Sequence, residues 1–296
     1  MKVRFGQSGL HFYSRETGLN VLLDELRLPR NLWSLAPRHV SIALTNACDL
    51  HCAFCFAPKE YASLPVDRVM AWADELDANG CLGVGLGGGE PTLYPFLVEL
   101  AEYLSTRTKL AVTLTTHGLN FDHLPADKLC GHIHFARVSM DGVGETYEKL
   151  REQPFTTLCE CLRVISLRFR FGVNYLVNSA TISDLSAAAE LASGLGASEI
   201  LLLPERRTRG ADGVDLKTSE ALRRWIDGYR GSLHICVSEP PIDGLPVCDP
   251  LPNERGLISY AHIDASGSVR RSSFHSQGVA IDSTGVVEAL RRLGES

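Results

Sequence analysis

Short apolar segments alternate with helical segments along the middle of the chain, and this alternation limits the folds open to it. Most of these segments are followed by turn residues and then by a stretch with helical spacing. Strand, loop and helix in this repeated order are typical of a parallel sheet with helical crossovers. The predicted strands cover residues 39–44, 81–86, 110–115, 134–140, 171–177 and 199–203. These strands are too few for a closed eight-stranded barrel, so the pattern predicts an α/β fold, a partial (β/α)6 open TIM-like barrel.

The two ends of the chain lack this alternation and predict two appendages to the barrel, which occupies residues 37–210. Residues 1–36 contain two apolar stretches around the polar segment 14–18, which indicates an N-terminal β-hairpin. Residues 211–296 contain two short strand-like segments around the turn 264–267, with a helical stretch on either side. We therefore expect a small C-terminal β/α extension that covers the barrel.

Composition and charge exclude several classes of function. The 296 residues carry a formal net charge of −6, so a global basic surface for nucleic acid is absent and no nucleic acid partner is favoured. The N-terminus has no apolar run of the signal-peptide type, and no apolar stretch is long enough to predict a membrane span. We therefore expect a cytoplasmic location and no membrane partner. In such a chain, the nine cysteines favour metal ligands, catalytic thiols or buried small residues over disulfides.

Three cysteines lie in one short loop directly after the first strand of the predicted barrel. Residues 48–55 read CDLHCAFC, so Cys48, Cys52 and Cys55 can turn three thiolates toward one point. Thiolates suit iron–sulfur clusters and zinc, and three of them leave one iron of a four-iron cluster open to a substrate or cofactor. The alternative is a structural zinc site, for which His51 is the nearest fourth ligand. Its position between two of the cysteines makes that geometry awkward.

This loop, with the aromatic Phe54 just before its last cysteine, resembles the signature of the radical S-adenosylmethionine (SAM) superfamily. Other motifs of that family follow in the right order, over about residues 38–205. The resemblance implies one 4Fe–4S cluster on Cys48, Cys52 and Cys55, with SAM bound at the open iron. It also implies reductive cleavage of SAM to methionine and a 5′-deoxyadenosyl radical, which takes a hydrogen atom from the substrate.

Two further loops carry the same resemblance. Residues 88–91 read GGEP after the second predicted strand, and the family receives the amino group of SAM on this loop. Gly88 and Gly89 permit close backbone approach, and the Glu90 carboxylate is suited to pair with an ammonium group. Ser139 and Asp141 resemble the family's Ser-x-Asp-Gly strand end. We expect Ser139 to contact SAM and Asp141 to have a structural role in the turn.

Other cofactor and substrate assignments rest on weaker parts of the resemblance. Phe54 would pack against the adenine of SAM, and Leu203 would frame that adenine through its backbone. Asn174 or Asn178 would reach the ribose or carboxylate of SAM. His117 stands where many relatives have Asn, and it is either a substrate contact or acid–base group, or a packed and hydrogen-bonded residue. The second interpretation of His117 is favoured.

Arginines follow the sixth predicted strand, near the expected mouth of the barrel. Arg206, Arg207 and Arg209 lie in a turn-rich stretch, and the C-terminal extension would bring Arg270 and Arg271 to join them. A guanidinium cluster is suited to grip a phosphate or carboxylate, so this group predicts an anionic substrate. A solvated charged turn is the equally weighted alternative.

The remaining cysteines predict no auxiliary cluster. Only Cys236 and Cys248 follow residue 161, whereas a further four-iron cluster needs three or four cysteines. Residues 262–269 resemble the C-terminal frame of peptide-modifying relatives, but residues 270–273 read RRSS where their second cysteine is expected. We expect buried small residues at the other four cysteines, which are Cys81, Cys130, Cys159 and Cys161.

Three functions remain open at this point. The first, slightly favoured, is modification of a ribosomally made peptide, supported by the C-terminal frame and by the N-terminal hairpin as a peptide-binding edge. The second is viperin-like modification of a small anionic metabolite or nucleotide, supported by the arginines and by the missing auxiliary cysteines. The third is a non-catalytic iron–sulfur or zinc binding module, against which the GGEP loop argues. For the catalytic functions, the resemblance implies an electron donor such as flavodoxin or ferredoxin.

Overall fold

The N-terminal segment forms a small antiparallel sheet of its own. The computed structural model describes residues 1–121, 126–207, 212–238, 241–247, 251 and 253–295. This sheet has the order β1-β2-β3 and consists of β1 (Lys2–Gly6), β2 (Gly9–Tyr13) and β3 (Asn20–Leu23). The predicted hairpin corresponds to β2 and β3. The sequence did not indicate β1, because its alternation places charged residues on the buried side.

Parallel strands form the centre of the molecule. The large sheet has the order β10-β9-β8-β7-β6-β5-β4-β11-β12-β13. Its strands are β4 (His39–Thr45), β5 (Gly83–Gly88), β6 (Ala111–Thr116), β7 (Phe135–Ser139), β8 (Phe171–Val177), β9 (Glu199–Pro204), β10 (His234–Val237), β11 (Tyr260–Ile263), β12 (Ser268–Arg270) and β13 (Gly278–Ala280). All neighbours from β10 to β11 pair in parallel, and the pairs β11–β12 and β12–β13 are antiparallel. Among the described strands the sheet does not close on itself, so the predicted partial barrel is confirmed.

Helices connect the parallel strands and bury one face against them. They are α1 (Val66–Ala78), α2 (Leu97–Arg107), α3 (Ala126–Leu129), α4 (Glu145–Arg151), α5 (Phe155–Ser166), α6 (Leu185–Gly194), α7 (Leu216–Gly228) and α8 (Val286–Glu295). In α1, the side chains at i, i+3, i+4 and i+7 from Val69 are buried, which is the apolar stripe expected of a crossover helix. These side chains share one core with aliphatic residues of the strands, such as Val84 and Leu86. No helix in the described part of the chain has the length and apolar character needed to cross a membrane.

The C-terminal segment takes part in the large sheet. Strand β10 pairs with β9, and β11 pairs with β4, so both lie parallel to the six predicted strands and widen the sheet at its two ends. Sequence patterns missed β10, and they predicted the strand before the turn 264–267 to start at residue 257, whereas β11 starts at Tyr260. Both strands have only four residues, and a short 3-10 helix at Gly256–Ile258 precedes β11. The predicted division into residues 1–36, 37–210 and 211–296 stays a prediction.

Lysine and arginine side chains of the N-terminal sheet bind it to the amino-terminal end of the barrel. In β1, Lys2 and Arg4 are buried while the residues between and after them are exposed. Arg4 donates hydrogen bonds to the carbonyl oxygens of Ala36 (2.7 Å) and Gly80 (3.0 Å). In the β2–β3 turn, Arg15 donates to backbone carbonyls at the amino-terminal end of β6, at Ser105, Thr108 and Leu110. The small sheet therefore closes the bottom of the barrel.

Candidate functional site

A large cavity opens at the carboxyl ends of the parallel strands. Its volume is about 1620 Å³, and the loops after β4, β5, β6 and β7 line its upper part. Its lower part runs inside the barrel to the N-terminal sheet, where Tyr13, Arg15 and Asn20 line it. Open α/β folds bind ligands at the carboxyl ends of their strands. The cavity is therefore the candidate functional site.

The inside of the barrel is open and polar where β5 and β4 meet. Alternate residues of β5 are glycines, and a Cβ at Gly85 would lie 3.0 Å from Nε2 of His39. Ser41 Oγ lies 2.5 Å from Tyr260 Oη and 2.7 Å from His262 Nδ1. Branched side chains usually fill the inside of a (β/α) barrel, so a lumen lined by glycine and by hydrogen-bonding groups is suited to hold a polar ligand.

The three cysteines of the motif line the upper cavity together. Cys48 and Cys52 are half-buried and Cys55 is exposed. The Cys55 N–H donates to the Cys52 carbonyl at 3.1 Å, and the Leu50 N–H donates to Cys48 Sγ at 3.5 Å. Burial raises the pKa of the Cys48 and Cys52 thiols. Binding to a metal reverses this, because a metal ligand must be a thiolate.

Arg151, at the end of α4, is a site residue that the sequence did not reveal. Its Nη1 lies 3.6 Å from Cys52 Sγ, and its guanidinium carbon lies 5.3 Å from the centre of the Phe54 ring. The buried Asp141 carboxylate accepts a hydrogen bond from Arg151 Nε at 2.6 Å and another from the Leu176 N–H at 3.0 Å. Burial alone would lower the pKa of Arg151, but the charges of Asp141 and Cys52 outweigh it and raise that pKa. A fixed positive charge therefore lies beside the cysteine loop.

Glycines let the GGEP loop pack onto the backbone that leads into the cysteine loop. Gly88 has φ of +131°, and a Cβ there would lie 2.2 Å from the Thr45 carbonyl oxygen. A Cβ at Gly89 would lie 2.2 Å from the Ala47 carbonyl oxygen. The Gly89 and Glu90 N–H groups donate to these two carbonyls at 2.7 and 2.8 Å. The two loops therefore form one backbone-bonded unit.

The Glu90 carboxylate ties three backbone segments together at the floor of the cavity. Its Oε1 accepts hydrogen bonds from the Thr92 N–H (3.1 Å) and the Thr116 hydroxyl (2.6 Å). Its Oε2 accepts the His117 N–H at 3.0 Å. The residue is 1% exposed and still lines the cavity. A carboxylate has about four acceptor positions, so one on Oε2 is left for a ligand.

His117 is buried between the cysteine loop and the GGEP loop. Its Nε2 lies 2.9 Å from Asp49 Oδ1 and 3.3 Å from Glu90 Oε2. Its Nδ1 accepts a hydrogen bond from the Leu119 N–H at 3.0 Å. Asn120 donates to Asp49 Oδ2 at 3.1 Å. Burial opposes ionisation of Asp49, but the hydrogen bonds from His117 and Asn120 outweigh it and lower the pKa of Asp49.

The remaining residues assigned to SAM lie at different places. Ser139 and Asn174 are paired in register on β7 and β8, and both line the cavity. Phe54 and Leu203 also line it. Asn178 does not line the cavity. Its Oδ1 accepts hydrogen bonds from N–H groups of the turn that follows, and its Nδ2 donates to Glu205 Oε1 at 3.0 Å.

The arginines beyond β9 are divided between two cavities. Arg206 lines both the large cavity and a second one of about 680 Å³, and its guanidinium carbon lies 4.6 Å from the centre of the Phe274 ring. Arg207 is exposed and lines only the second cavity. Arg270 lines both cavities but is ion-paired with Asp264 at 2.6 Å. Arg271 donates instead to the Leu293 carbonyl at 2.9 Å, and Arg209 lies outside the described residues.

The other cysteines lie away from the loop. Cys81 and Cys161 are buried, as expected, whereas Cys130 and Cys159 are only half-buried. Burial raises the pKa of Cys81 to about 11. Cys236 Sγ lies 3.3 Å from His234 Nε2 on β10, and Cys248 lies outside the described residues.

Comparison with known proteins identifies the family. The sequence profile of the Radical SAM superfamily matches residues 42–191, which start within β4, include the cysteine loop and end within α6. This chain belongs to the radical SAM superfamily. Members of this superfamily use a 4Fe–4S cluster and SAM. Three soft sulfur donors from one loop, with Arg151 beside them and a cavity against them, fit such a cluster.

Among curated proteins, the AdoMet-dependent heme synthase of Methanosarcina barkeri is 29% identical over 203 residues, which cover 64% of this chain and 58% of that protein. The sporulation killing factor maturation protein SkfB of Bacillus subtilis is 28% identical over 221 residues, covering 68% of this chain and 52% of that protein. This radical SAM chain thus spans about half the length of the curated relatives it matches.

Among solved structures, Streptococcus suis SuiB bound to S-adenosylmethionine aligns with a TM-score of 0.72 and 13% identity, covering 94% of this chain and 83% of that chain. The same protein bound to its precursor peptide SuiA aligns with a TM-score of 0.66 and 16% identity, covering 83% and 62%. At these identities the likeness concerns the fold, and it places this radical SAM chain among partial barrels.

Proposed function

We propose that this radical SAM chain modifies a peptide. One observation carries the proposal. The cavity at the cysteine loop measures about 1620 Å³, whereas small-molecule sites commonly measure about 300 to 1,000 Å³. The cavity therefore has room for SAM and for a segment of polypeptide beside it. Relatives named for the maturation of a killing factor and for binding a precursor peptide support the same substrate class.

The cysteine loop would hold the cofactors at the top of this cavity. Cys48, Cys52 and Cys55 would bind a 4Fe–4S cluster, which supplies an open iron for SAM and the electron that cleaves it. Arg151 offsets the negative charge of the thiolates, because it is held beside Cys52 by Asp141.

Residues around the cavity would position SAM by simple complementarity. The Gly88–Glu90 loop presents backbone groups and the remaining acceptor of Glu90 to the ammonium group of SAM. Ser139 and Asn174 present polar groups from neighbouring strands, which suit the ribose or carboxylate. Phe54 and Leu203 supply apolar surface for the adenine.

The reaction would start with one electron that splits SAM into methionine and a 5′-deoxyadenosyl radical. Cleavage of SAM would thereby supply hydrogen abstraction from a C–H bond of the peptide, and the hydrogen would leave in 5′-deoxyadenosine. The protein's part is to hold the C–H bond near the radical and to exclude water. We also propose an electron carrier such as flavodoxin or ferredoxin as the donor. A cytoplasmic location accords with cysteines that must stay reduced.

A small anionic substrate is the second candidate, and the second cavity favours it. That cavity contains Arg206, Arg207 and Arg270, and no acidic side chain lines it among the described residues. Guanidinium groups bind carboxylates and phosphates well. A viperin-like reaction on an anionic metabolite or nucleotide would use these arginines to hold the substrate beside Cys55. A non-catalytic iron–sulfur or zinc module is a third class, for which the intact GGEP loop has no use.

Deuterium transfer tests the proposal directly. The protein is reconstituted anaerobically and incubated with SAM, dithionite and deuterated short peptides encoded near its gene. We expect one peptide to raise 5′-deoxyadenosine formation and to pass deuterium into it. Cys52→Ala should abolish both effects, whereas Cys159→Ala, on α5, should leave them unchanged because Cys159 does not line the cavity.

The other outcomes separate the remaining functions. Deuterium transfer from a nucleotide or a carboxylated metabolite, and from none of the peptides, would support the second candidate. Protein isolated anaerobically with zinc and without sulfide, and inactive toward SAM after reconstitution, would support the non-catalytic module.

A further inference from the structure

The side chain of Asp49, inside the cysteine loop, is bonded to residues outside that loop. His117 Nε2 lies 2.9 Å from its Oδ1, and Asn120 Nδ2 donates to its Oδ2 at 3.1 Å. Asn120 also donates to Thr92 Oγ1 at 3.2 Å. Asp49 directly follows Cys48, so these contacts fix the position of the first cysteine. They join it to the loops after β5 and β6.

The direction of the hydrogen bonds on His117 follows from its surroundings. Nδ1 accepts the N–H of Leu119 at 3.0 Å, so Nδ1 carries no proton. The ring proton is therefore on Nε2, which donates it to Asp49 Oδ1 and lies 3.3 Å from Glu90 Oε2. Two acidic side chains thus converge on the Nε2–H group of His117, whose side chain is 4% exposed.

The same geometry argues against His117 as a metal ligand. Cys48, Asp49 and His117 present potential ligand atoms within 4.8 Å of one another. A ligating histidine uses a deprotonated ring nitrogen and donates its other N–H to an acceptor. Here the other nitrogen faces a backbone donor, so Nε2 has to keep its proton. His117 therefore acts as a hydrogen-bond donor to Asp49 and not as a metal ligand.

We propose that His117 is a positioning residue that acts through Asp49. Its Nε2–H group holds Asp49, and with it Cys48, against the GGEP loop before any cluster is bound. The cysteine loop is thereby arranged to receive the cluster. The inference rests on the cysteine loop as the cluster site of the proposed function, but it concerns the cluster-free chain and does not depend on the substrate.

Two variants test separately the hydrogen bonds made by Nδ1 and by Nε2 of His117. His117→Asn keeps an acceptor near the position of Nδ1 for the Leu119 N–H, but it loses the reach to Asp49. His117→Gln places an amide N–H near the position of Nε2 and keeps that reach. His11→Asn is the matched control, because His11 Nε2 makes a 2.9 Å hydrogen bond to Asn20 Oδ1 in the N-terminal sheet.

Hydrogen–deuterium exchange of the cluster-free protein, read by mass spectrometry over residues 46–58, measures the effect. A hydrogen bond of ordinary strength predicts exchange about two- to tenfold faster in His117→Asn. His117→Gln should restore slow exchange, and His11→Asn should leave this segment unchanged. Asp49→Leu also removes the Asn120 bond, so it should exchange at least as fast as His117→Asn. The double variant should exchange no faster than Asp49→Leu alone, because the bond between His117 and Asp49 is already broken there.

Three results would overturn the inference. The first is an unchanged loop in His117→Asn. The second is faster exchange in His117→Gln equal to that in His117→Asn, which would mean that filling the space, and not the donor, is what matters. The third is binding of Co²⁺ with a thiolate charge-transfer band that disappears in both His117 variants, since that would make His117 a ligand. None of these results depends on SAM cleavage or on a peptide substrate. Failure of the inference about His117 can therefore be distinguished from failure of the proposed peptide modification.

Discussion

Arg151 Nη1 lies 3.6 Å from Cys52 Sγ, and Asp141 fixes its guanidinium in that position. Arg151 is on α4 and Asp141 is in the turn after β7, so the barrel itself holds a positive charge against the cysteine loop. Hydrogen bonds and positive charge near the sulfurs favour the more negative, reduced form of an iron–sulfur cluster. The relationship therefore bears on how easily the cluster accepts its electron.

Removal of this charge pair should make the cluster harder to reduce. The double variant Arg151→Gln with Asp141→Asn avoids leaving one buried charge without its partner. We expect its midpoint potential to become more negative by tens of millivolts, with the iron content retained. Redox titration followed by electron paramagnetic resonance measures this, and Arg163→Gln on the exposed side of α5 is the control. An unchanged or more positive potential would contradict the role of Arg151.

Glu90→Gln should weaken SAM binding without loss of iron. The carboxylate accepts from three protein donors, whereas a glutamine amide has one acceptor oxygen and would turn an N–H group toward one of those donors. The expected cost to loop stability is about 1 to 3 kcal/mol. Equilibrium dialysis with SAM, together with an iron assay, measures both parts. Glu99→Gln, an exposed change on α2, is the control, and normal SAM affinity in Glu90→Gln would disprove this role.

The sequence predicted the barrel well because its signals are local. The βα alternation and the turn residues after each strand gave the six central strands within about two residues at each end. Short elements were missed because they carry little pattern. Helix α4 has seven residues and buries only Tyr147, and β10 has four residues. Consequently Arg151, on α4, was missed as well.

The site was predicted where the motif itself contains the chemistry. The cysteines lie together in residues 48–55, the two glycines and Glu90 lie together in residues 88–90, and the spacing within each segment is visible without a fold. Contacts between distant segments were not visible. Asp49 and His117 are 68 positions apart, and Tyr260 meets Ser41 only because β11 pairs with β4. Sequence periodicity contains no information on such pairings.

The folded protein should lose stability as the pH falls below about 6.5. Burial, with a smaller effect of Arg137, lowers the pKa of His39 to about 4. Burial also lowers the pKa of His262 to about 4, although Asp264 opposes this and Arg270 adds to it. The unfolded chain, with histidine pKa near 6.5, binds these protons first, so the stabilisation is complete above that pH and is lost toward pH 4.

Urea unfolding of the cluster-free protein at several pH values measures this effect. Each histidine should contribute a slope of at most about 1.4 kcal/mol per pH unit between the two pKa values. His39→Gln should remove one of the two contributions, so its free energy of unfolding should vary less steeply between pH 6.5 and 4.5. Carboxylate titration is common to both proteins and cancels in the difference. Parallel curves for the two proteins would contradict a neutral, buried His39.

Of the glycine-to-alanine substitutions in the site, each of which adds one methyl group, Gly88→Ala should reduce the stability of the fold most. The residue has φ of +131°, and its Cβ would lie 2.2 Å from the Thr45 carbonyl oxygen, so the backbone that leads into the cysteine loop has to move. Gly194→Ala is the matched control, because a Cβ placed there, at the end of α6, has no atom within 4 Å apart from its chain neighbours and the backbone of its own helix. Steric strain predicts a loss of several kcal/mol or failure to fold for Gly88→Ala. The control should be neutral or more stable by up to about 1 kcal/mol, since alanine favours helix. The test compares the urea unfolding midpoints of the two variants with that of the unaltered protein. A midpoint of Gly88→Ala equal to that of the unaltered protein would show that the GGEP loop is not packed as the structure has it.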